Sequence, residues 1–170
     1  MIDYFYRLRT DAFNLTQGLL STPIEDLYYE DYYSFSASML GHEEWKHHRA
    51  LASINAQFPI RHAGILKMEP HTGYDWHTDT DRALAINMIL DTRQNGHPSE
   101  TLFSPDHGHA AQYKVSQLTY SPFSLYLFNT QVKHTVINHA EPRYLFSVEF
   151  EPTEFTNYGN VLNFCLAQGL

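Results

Sequence analysis

Arg143-Tyr144-Leu145-Phe146-Ser147-Val148-Glu149-Phe150 is the stretch that decides the fold, because it alternates with period two along its whole length. An extended strand sends successive side chains to opposite faces. Tyr144, Phe146, Val148 and Phe150 therefore share one face, and Arg143, Leu145, Ser147 and Glu149 the other. The aromatic face suits packing beneath helices. The opposite face, turned into a sheet-lined interior, would bury a guanidinium that needs an anionic partner there. Upstream the same short β-like texture recurs in runs 61–68, 74–79, 83–90, 100–104, 113–120, 123–129 and 134–138, making about eight strands with 143–151. Asn95-Gly96, Pro105-Asp106, Ser121-Pro122 and Glu141-Pro142 punctuate them, with no helix-length segment between, so the sheet is expected to be largely antiparallel.

Ahead of these strands the texture is helical and aromatic. Residues 11–20 form a weak helical pattern, Thr22-Pro23-Ile24-Glu25 has capping-box spacing with Pro at the first helical position, and Leu51, Ile54 and Phe58 recur at helical spacing after Trp45. Tyr28, Tyr29, Tyr32 and Tyr33 lie between and read as core rather than as a substrate mouth. The expected architecture is mostly β with N-terminal helices: a double-stranded β-helix, or jelly roll, with helices outside one sheet. An immunoglobulin-like sandwich competes, but it has no place for a helical first third. The whole of 1–170 reads as a single domain: a helical and aromatic segment 1–60, a jelly-roll core 61–151 and a C-terminal extension 152–170, where Cys165 reads as packing.

Composition narrows the function. With 170 residues, 43% hydrophobic and 15% aromatic, the chain can bury a substantial core. A formal net charge of -8 and the lack of a basic stripe argue against nucleic acid as a partner. One cysteine excludes an internal disulfide framework and cysteine-based metal sites, and fits a reducing, cytoplasmic compartment. No apolar run is long enough for a signal peptide or a membrane span, so no membrane partner is expected. The oligomeric state stays open. The 11 histidines invite a metal reading, and their abundance also breeds decoys.

His77-Thr78-Asp79 is a His-x-Asp in a strand-like setting, where a spacing of two puts both side chains on one face. Chance alone predicts roughly one His-x-acid match in such a chain, and His42-x-Glu44 and His139-x-Glu141 are two others. The former opens a helix, where positions two apart do not share a face, and the latter falls in a turn. His107-Gly108-His109 sits in a loop, and Lys46-His47-His48-Arg49 reads as a solvated helix face. Near the C-terminus, 134–138 and the strand from Arg143 read as a hairpin that places His134 opposite Ser147. Arg143 would then lie on the order of 13 Å along the ladder from His134. A metal beyond the His134 ring, a five-carbon diacid chelating it and an arginine gripping the diacid's far end would together span that distance.

This pattern resembles the Fe(II)- and 2-oxoglutarate-dependent oxygenases: His77, Asp79, a distal His134, and Arg143 about ten residues beyond. Pro70-His71-Thr72-Gly73 with Arg82, and Phe128-Asn129-Thr130 before His134-Thr135-Val136-Ile137-Asn138, look like the aspartyl/asparaginyl β-hydroxylase and prolyl-hydroxylase-like branches. The resemblance covers about 61–151. It implies that His77, Asp79 and His134 are the catalytic metal ligands, that Fe(II) is the metal, and that Arg143 binds the cosubstrate 2-oxoglutarate. His71 is a rival first ligand, but no acid stands two residues after it. Where some relatives carry a serine two residues after the arginine this chain has Leu145, so the second partner of the cosubstrate's far carboxylate falls to Tyr74, Asn87 or Tyr126. The implied activity is a dioxygenase reaction: dioxygen and 2-oxoglutarate are consumed, succinate and CO2 are released, and an amino-acid side chain or small metabolite, free or in a peptide, is hydroxylated. The alternatives are a cupin-type metalloprotein that uses no 2-oxoglutarate and a non-catalytic β-sandwich binding module.

Overall fold

A computed structural model describes residues 4–32, 35–90, 99–105 and 113–170. Among them ten strands form two antiparallel sheets. The strands are β1 (Phe5–Arg7), β2 (Glu30–Asp31), β3 (Ser36–Met39), β4 (Ile60–Met68), β5 (Ala85–Ile89), β6 (Glu100–Phe103), β7 (Ser116–Leu118), β8 (Tyr126–Phe128), β9 (His134–Ile137) and β10 (Arg143–Phe150). Three helices accompany them: α1 (Phe13–Leu19), α2 (Arg49–Gln57) and α3 (Tyr158–Gln168). The larger sheet runs β1-β8-β5-β10-β4-β3-β2 and the smaller β7-β6-β9. This is the double-stranded β-helix expected from the strand pattern.

The two-faced strand sits at the centre of the larger sheet. Tyr144, Phe146, Val148 and Phe150 join Ala63, Ile65, Ile86 and Met88 in a core closed by Leu15 and Leu19 of α1, Leu51 and Ile54 of α2, and Val161 and Cys165 of α3. A second, smaller core of Ala85, Phe103, Leu118, Tyr126, Phe128 and Val132 lies on the other side of the larger sheet. The β10 face bearing Arg143, Leu145 and Ser147 lines a cavity there.

Several expectations are corrected. The first third is not only helical, since it contributes β1, β2 and β3 to the larger sheet. The capping-box signal at Thr22 yields just a 3-10 turn, Ile24–Asp26, with no side-chain cap. Tyr28 is 80% exposed and Tyr32 is 48% exposed, so they are not core. Tyr29 is half-buried, donates to Ile24 O at 2.9 Å, and has its hydroxyl pKa pushed up by burial. Tyr33, Asn95-Gly96, Asp106 and His107-Gly108-His109 lie outside the described residues. The end of the C-terminal extension is α3, capped by the Asn157 side chain, and buries Cys165.

The largest correction concerns the C-terminal hairpin. β9 pairs with β6 in the smaller sheet, whereas β10 pairs with β4 and β5 in the larger, so His134 does not lie opposite Ser147. Ser147 stands between Gly64 and Asn87. The intervening turn is a corner between sheets, pinned by the buried Asn138 amide, which donates to Met68 O, Glu69 O and Glu141 O at 2.8 to 3.1 Å. Alternation reveals which faces a strand has; it does not reveal its partner.

Candidate metal centre

The expected strand 74–79 is reduced to one isolated bridge, His77 with His134, with a second, Gly73 with Ile137, just before it. Pro70, and His71 with its left-handed φ of 58°, disturb the approach to it. The bridges nevertheless run the segment antiparallel along β9. His77 N donates to His134 O at 3.0 Å and His134 N to His77 O at 2.9 Å, so the two residues are direct cross-strand partners. Side chains of such a pair lie on the same face, and their ring centroids are 4.4 Å apart. Asp79 follows two residues on, its N–H donating to Thr130 O.

The three side chains converge. One ligand atom from each lies within 4.8 Å of the others, and Asp79 Oδ1 is 3.6 Å from Nε2 of both His77 and His134. The opposite ring nitrogens are held: His77 Nδ1 by Asp75 O at 2.7 Å and His134 Nδ1 by Val132 O at 2.9 Å. A carbonyl only accepts, so each imidazole is fixed as the Nδ1–H tautomer with its Nε2 lone pair facing the cluster. Burial pulls the His134 pKa down, favouring the neutral ring that a metal needs. Two imidazoles and one carboxylate on one side of an ion leave positions open on the other, a donor set that fits ferrous iron.

Arg143 enters the same cavity, of about 590 Å3, from the start of β10. It is 4% exposed, its Nη2 donates to Thr101 Oγ1 at 3.3 Å, and its Nε has no partner among the described residues. The guanidinium carbon lies 5.8 Å from the centre of the Tyr120 ring. Burial pulls its pKa down, and the groups acting against that pull are Tyr120 and Tyr74 rather than a carboxylate. A buried guanidinium with no acidic partner among the described residues is what an anionic ligand would complete.

The expected cosubstrate residues divide. Tyr74 and Asn87 line the cavity, and Asn87 Oδ1 has no hydrogen-bond partner among the described residues. Tyr126 does not line it, because its hydroxyl accepts from Ser121 N at 3.0 Å and donates to Thr119 O at 3.4 Å. Sequence reading missed Tyr120 and Thr101. Tyr120 is half-buried, with its hydroxyl buried near the Thr101 and Asn87 side chains but short of hydrogen-bond geometry with either. Nothing in the strand pattern separates it from the other tyrosines of the chain. The rivals stand apart from the cluster: His71 is exposed, His42 edges onto Trp45, and His139 pairs with Glu100 at 3.2 Å.

No protein-family model and no curated protein sequence matches the chain. Solved structures do. A viral collagen prolyl hydroxylase from Paramecium Bursaria Chlorella virus-1, in its 2OG complex, superposes with a TM-score of 0.63 at 11% identity over 89% of this chain and 97% of that one. A Pseudomonas putida prolyl-4-hydroxylase gives 0.61 at 14%, covering 88% and 93%. HygX from Streptomyces hygroscopicus, with nickel and 2-oxoglutarate bound, gives 0.62 at 12%, covering 91% and 85%. These likenesses establish the class of fold: the chain has the double-stranded β-helix of the 2OG-Fe(II) oxygenases.

Proposed function

We propose that this chain is an Fe(II)- and 2-oxoglutarate-dependent oxygenase that hydroxylates an amino-acid side chain or a small metabolite. One observation carries the reading: a single cavity presents a two-histidine, one-carboxylate cluster together with a buried arginine that has no carboxylate partner among the described residues. The fold supports it, because the similar structures named above include two prolyl hydroxylases and a protein with nickel and 2-oxoglutarate bound.

In this reading His77 Nε2, His134 Nε2 and Asp79 Oδ1 hold the metal, which supplies oxygen activation coupled to decarboxylation of the 2-oxo acid. Arg143 grips the far carboxylate of 2-oxoglutarate through its fork of N–H donors. Thr101 orients that fork, and the Tyr120 hydroxyl, buried beside it, is the second donor to the carboxylate. Leu66, Val136 and Leu145 give the cavity an apolar wall that excludes water. The substrate reaches the cluster through a groove lined in part by Phe35, Met39, Gly64 and Arg82. A buried lone cysteine fits a cytoplasmic setting, and among the described residues no helix is long and apolar enough to cross a membrane.

A cupin-type metalloprotein would keep the cluster but has no use for Arg143. Succinate release separates the two: wild-type protein with Fe(II), 2-oxoglutarate and oxygen should form succinate above the His134→Ala background. Iron binding without any succinate above that background, across a panel of peptide and metabolite substrates, would favour the cupin reading.

A further inference from the structure

Asp79 is a carboxylate with two oxygens in two different situations. Its Oδ1 faces both histidine Nε2 atoms at 3.6 Å. Its Oδ2 is taken twice by one side chain, since Arg82 Nε donates to it at 2.9 Å and Arg82 Nη2 lies 2.7 Å away. The pair is not a solvated surface contact, because the Asp79 side chain is 10% exposed and that of Arg82 is 30% exposed. The backbone beneath is clamped as well. Thr130 Oγ1 and Gln131 Nε2 both donate to Arg82 O, Gln131 Nε2 also donates to Asp79 O at 3.1 Å, and Asp79 N donates to Thr130 O. The turn between β8 and β9 thus fixes the loop that carries both residues.

We infer that Arg82 is a positioning residue of the metal centre that keeps Asp79 a one-oxygen ligand, an assignment resting on the metal reading above. A carboxylate beside a dication can chelate with both oxygens. With Oδ2 committed to a guanidinium, only Oδ1 is available to the ion. The protein then supplies three donors rather than four, and the open side keeps room for a two-point chelator and a further small ligand. Without Arg82, Asp79 could swing both oxygens onto the metal and occupy a position that the cosubstrate needs.

The test uses Co(II) as a spectroscopic probe on metal-free wild-type, Arg82→Ala and Arg82→Lys proteins. Affinity, the visible absorption of the bound ion and the melting of the metal-free protein are measured together. Arg82→Ala should bind Co(II) without loss of affinity, because a second Asp79 oxygen is an added donor and a neighbouring positive charge is gone, and should alter the visible spectrum of the bound ion as its coordination number rises. Arg82→Lys, which keeps the charge and one donor to Asp79 Oδ2, should move the spectrum back toward wild type. If Arg82→Ala binds Co(II) more than about tenfold more weakly than wild type, the assignment falls, since Arg82 would then aid metal binding rather than withhold an oxygen from it. It also falls if the spectrum of the bound ion is unchanged and only metal-free melting is lowered, since Arg82 would then be merely structural. Failure of the wild-type protein itself to bind Co(II) would instead overturn the metal reading.

Discussion

At the scale of single residues, Arg143 separates an oxygenase from any other metal-binding roll. Losing one member of a buried charge pair costs about 2–5 kcal/mol, so Arg143→Ala should weaken 2-oxoglutarate binding by roughly 30-fold to several thousand-fold. Isothermal titration with an inert divalent metal in place of iron checks this, and wild-type affinity would remove Arg143 from the cosubstrate site. Tyr120→Phe keeps the ring and removes the hydroxyl. It should weaken the same titration about tenfold or more, as expected for a hydrogen bond to a charged group, with metal affinity unchanged. The His77–Asp79 pair was legible because a spacing of two has one meaning in an extended segment, His134 only through the family resemblance, since the hairpin expected to place it does not form, and Arg143 because it begins an alternating strand. Tyr120 was not, since its place against Arg143 comes from tertiary packing that no local pattern records. Tyr126 misled for a related reason: a buried tyrosine's hydroxyl can be satisfied by nearby backbone, here Ser121 N and Thr119 O.

At the scale of elements, β10 and α2 make separate claims. Phe146 is fully buried between the larger sheet and the helices, so Phe146→Ala should cost about 3–5 kcal/mol in urea denaturation; a much smaller loss would contradict its place in the core. Helix α2 begins with an uncommon cap. His48 Nδ1 accepts from Leu51 N at 3.4 Å while its Nε2 lies 3.2 Å from Asp11 O, which together require the neutral Nε2–H tautomer. Burial pulls the His48 pKa below 6.5, against the opposing pull of Asp11. A base whose folded pKa is depressed binds more protons when unfolded, so stability should rise with pH through the window just below 6.5 and be lost on acidification. His134 in the metal-free protein shifts the same way. His48→Asn keeps an acceptor at the cap without a titrating group and should flatten the pH dependence between about pH 5 and 7. An unchanged slope would show that His48 does not carry it. The strand runs from 83 onward were largely legible, but the pairing of β9 with β6 was not, because the turn at 139–142 looks the same whether it closes a hairpin or turns a corner.

At the scale of the whole molecule, the double-stranded β-helix was legible because short alternating runs with turn breakers and no intervening helices leave few other closures. What escaped were β1, β2 and β3, strands of two to four residues too short to show a period, which extend the two edges of the larger sheet. The same architecture places the histidine cluster on one wall of the cavity and Arg143 on another, so metal and cosubstrate should be bound together and not merely side by side. Anaerobic titration of the wild-type protein with Fe(II) and then 2-oxoglutarate tests that most directly. A visible metal-to-ligand charge-transfer band should appear only when both are present, saturate at one iron per chain, and vanish in His134→Ala. Iron binding with no such band at saturating 2-oxoglutarate would contradict the account.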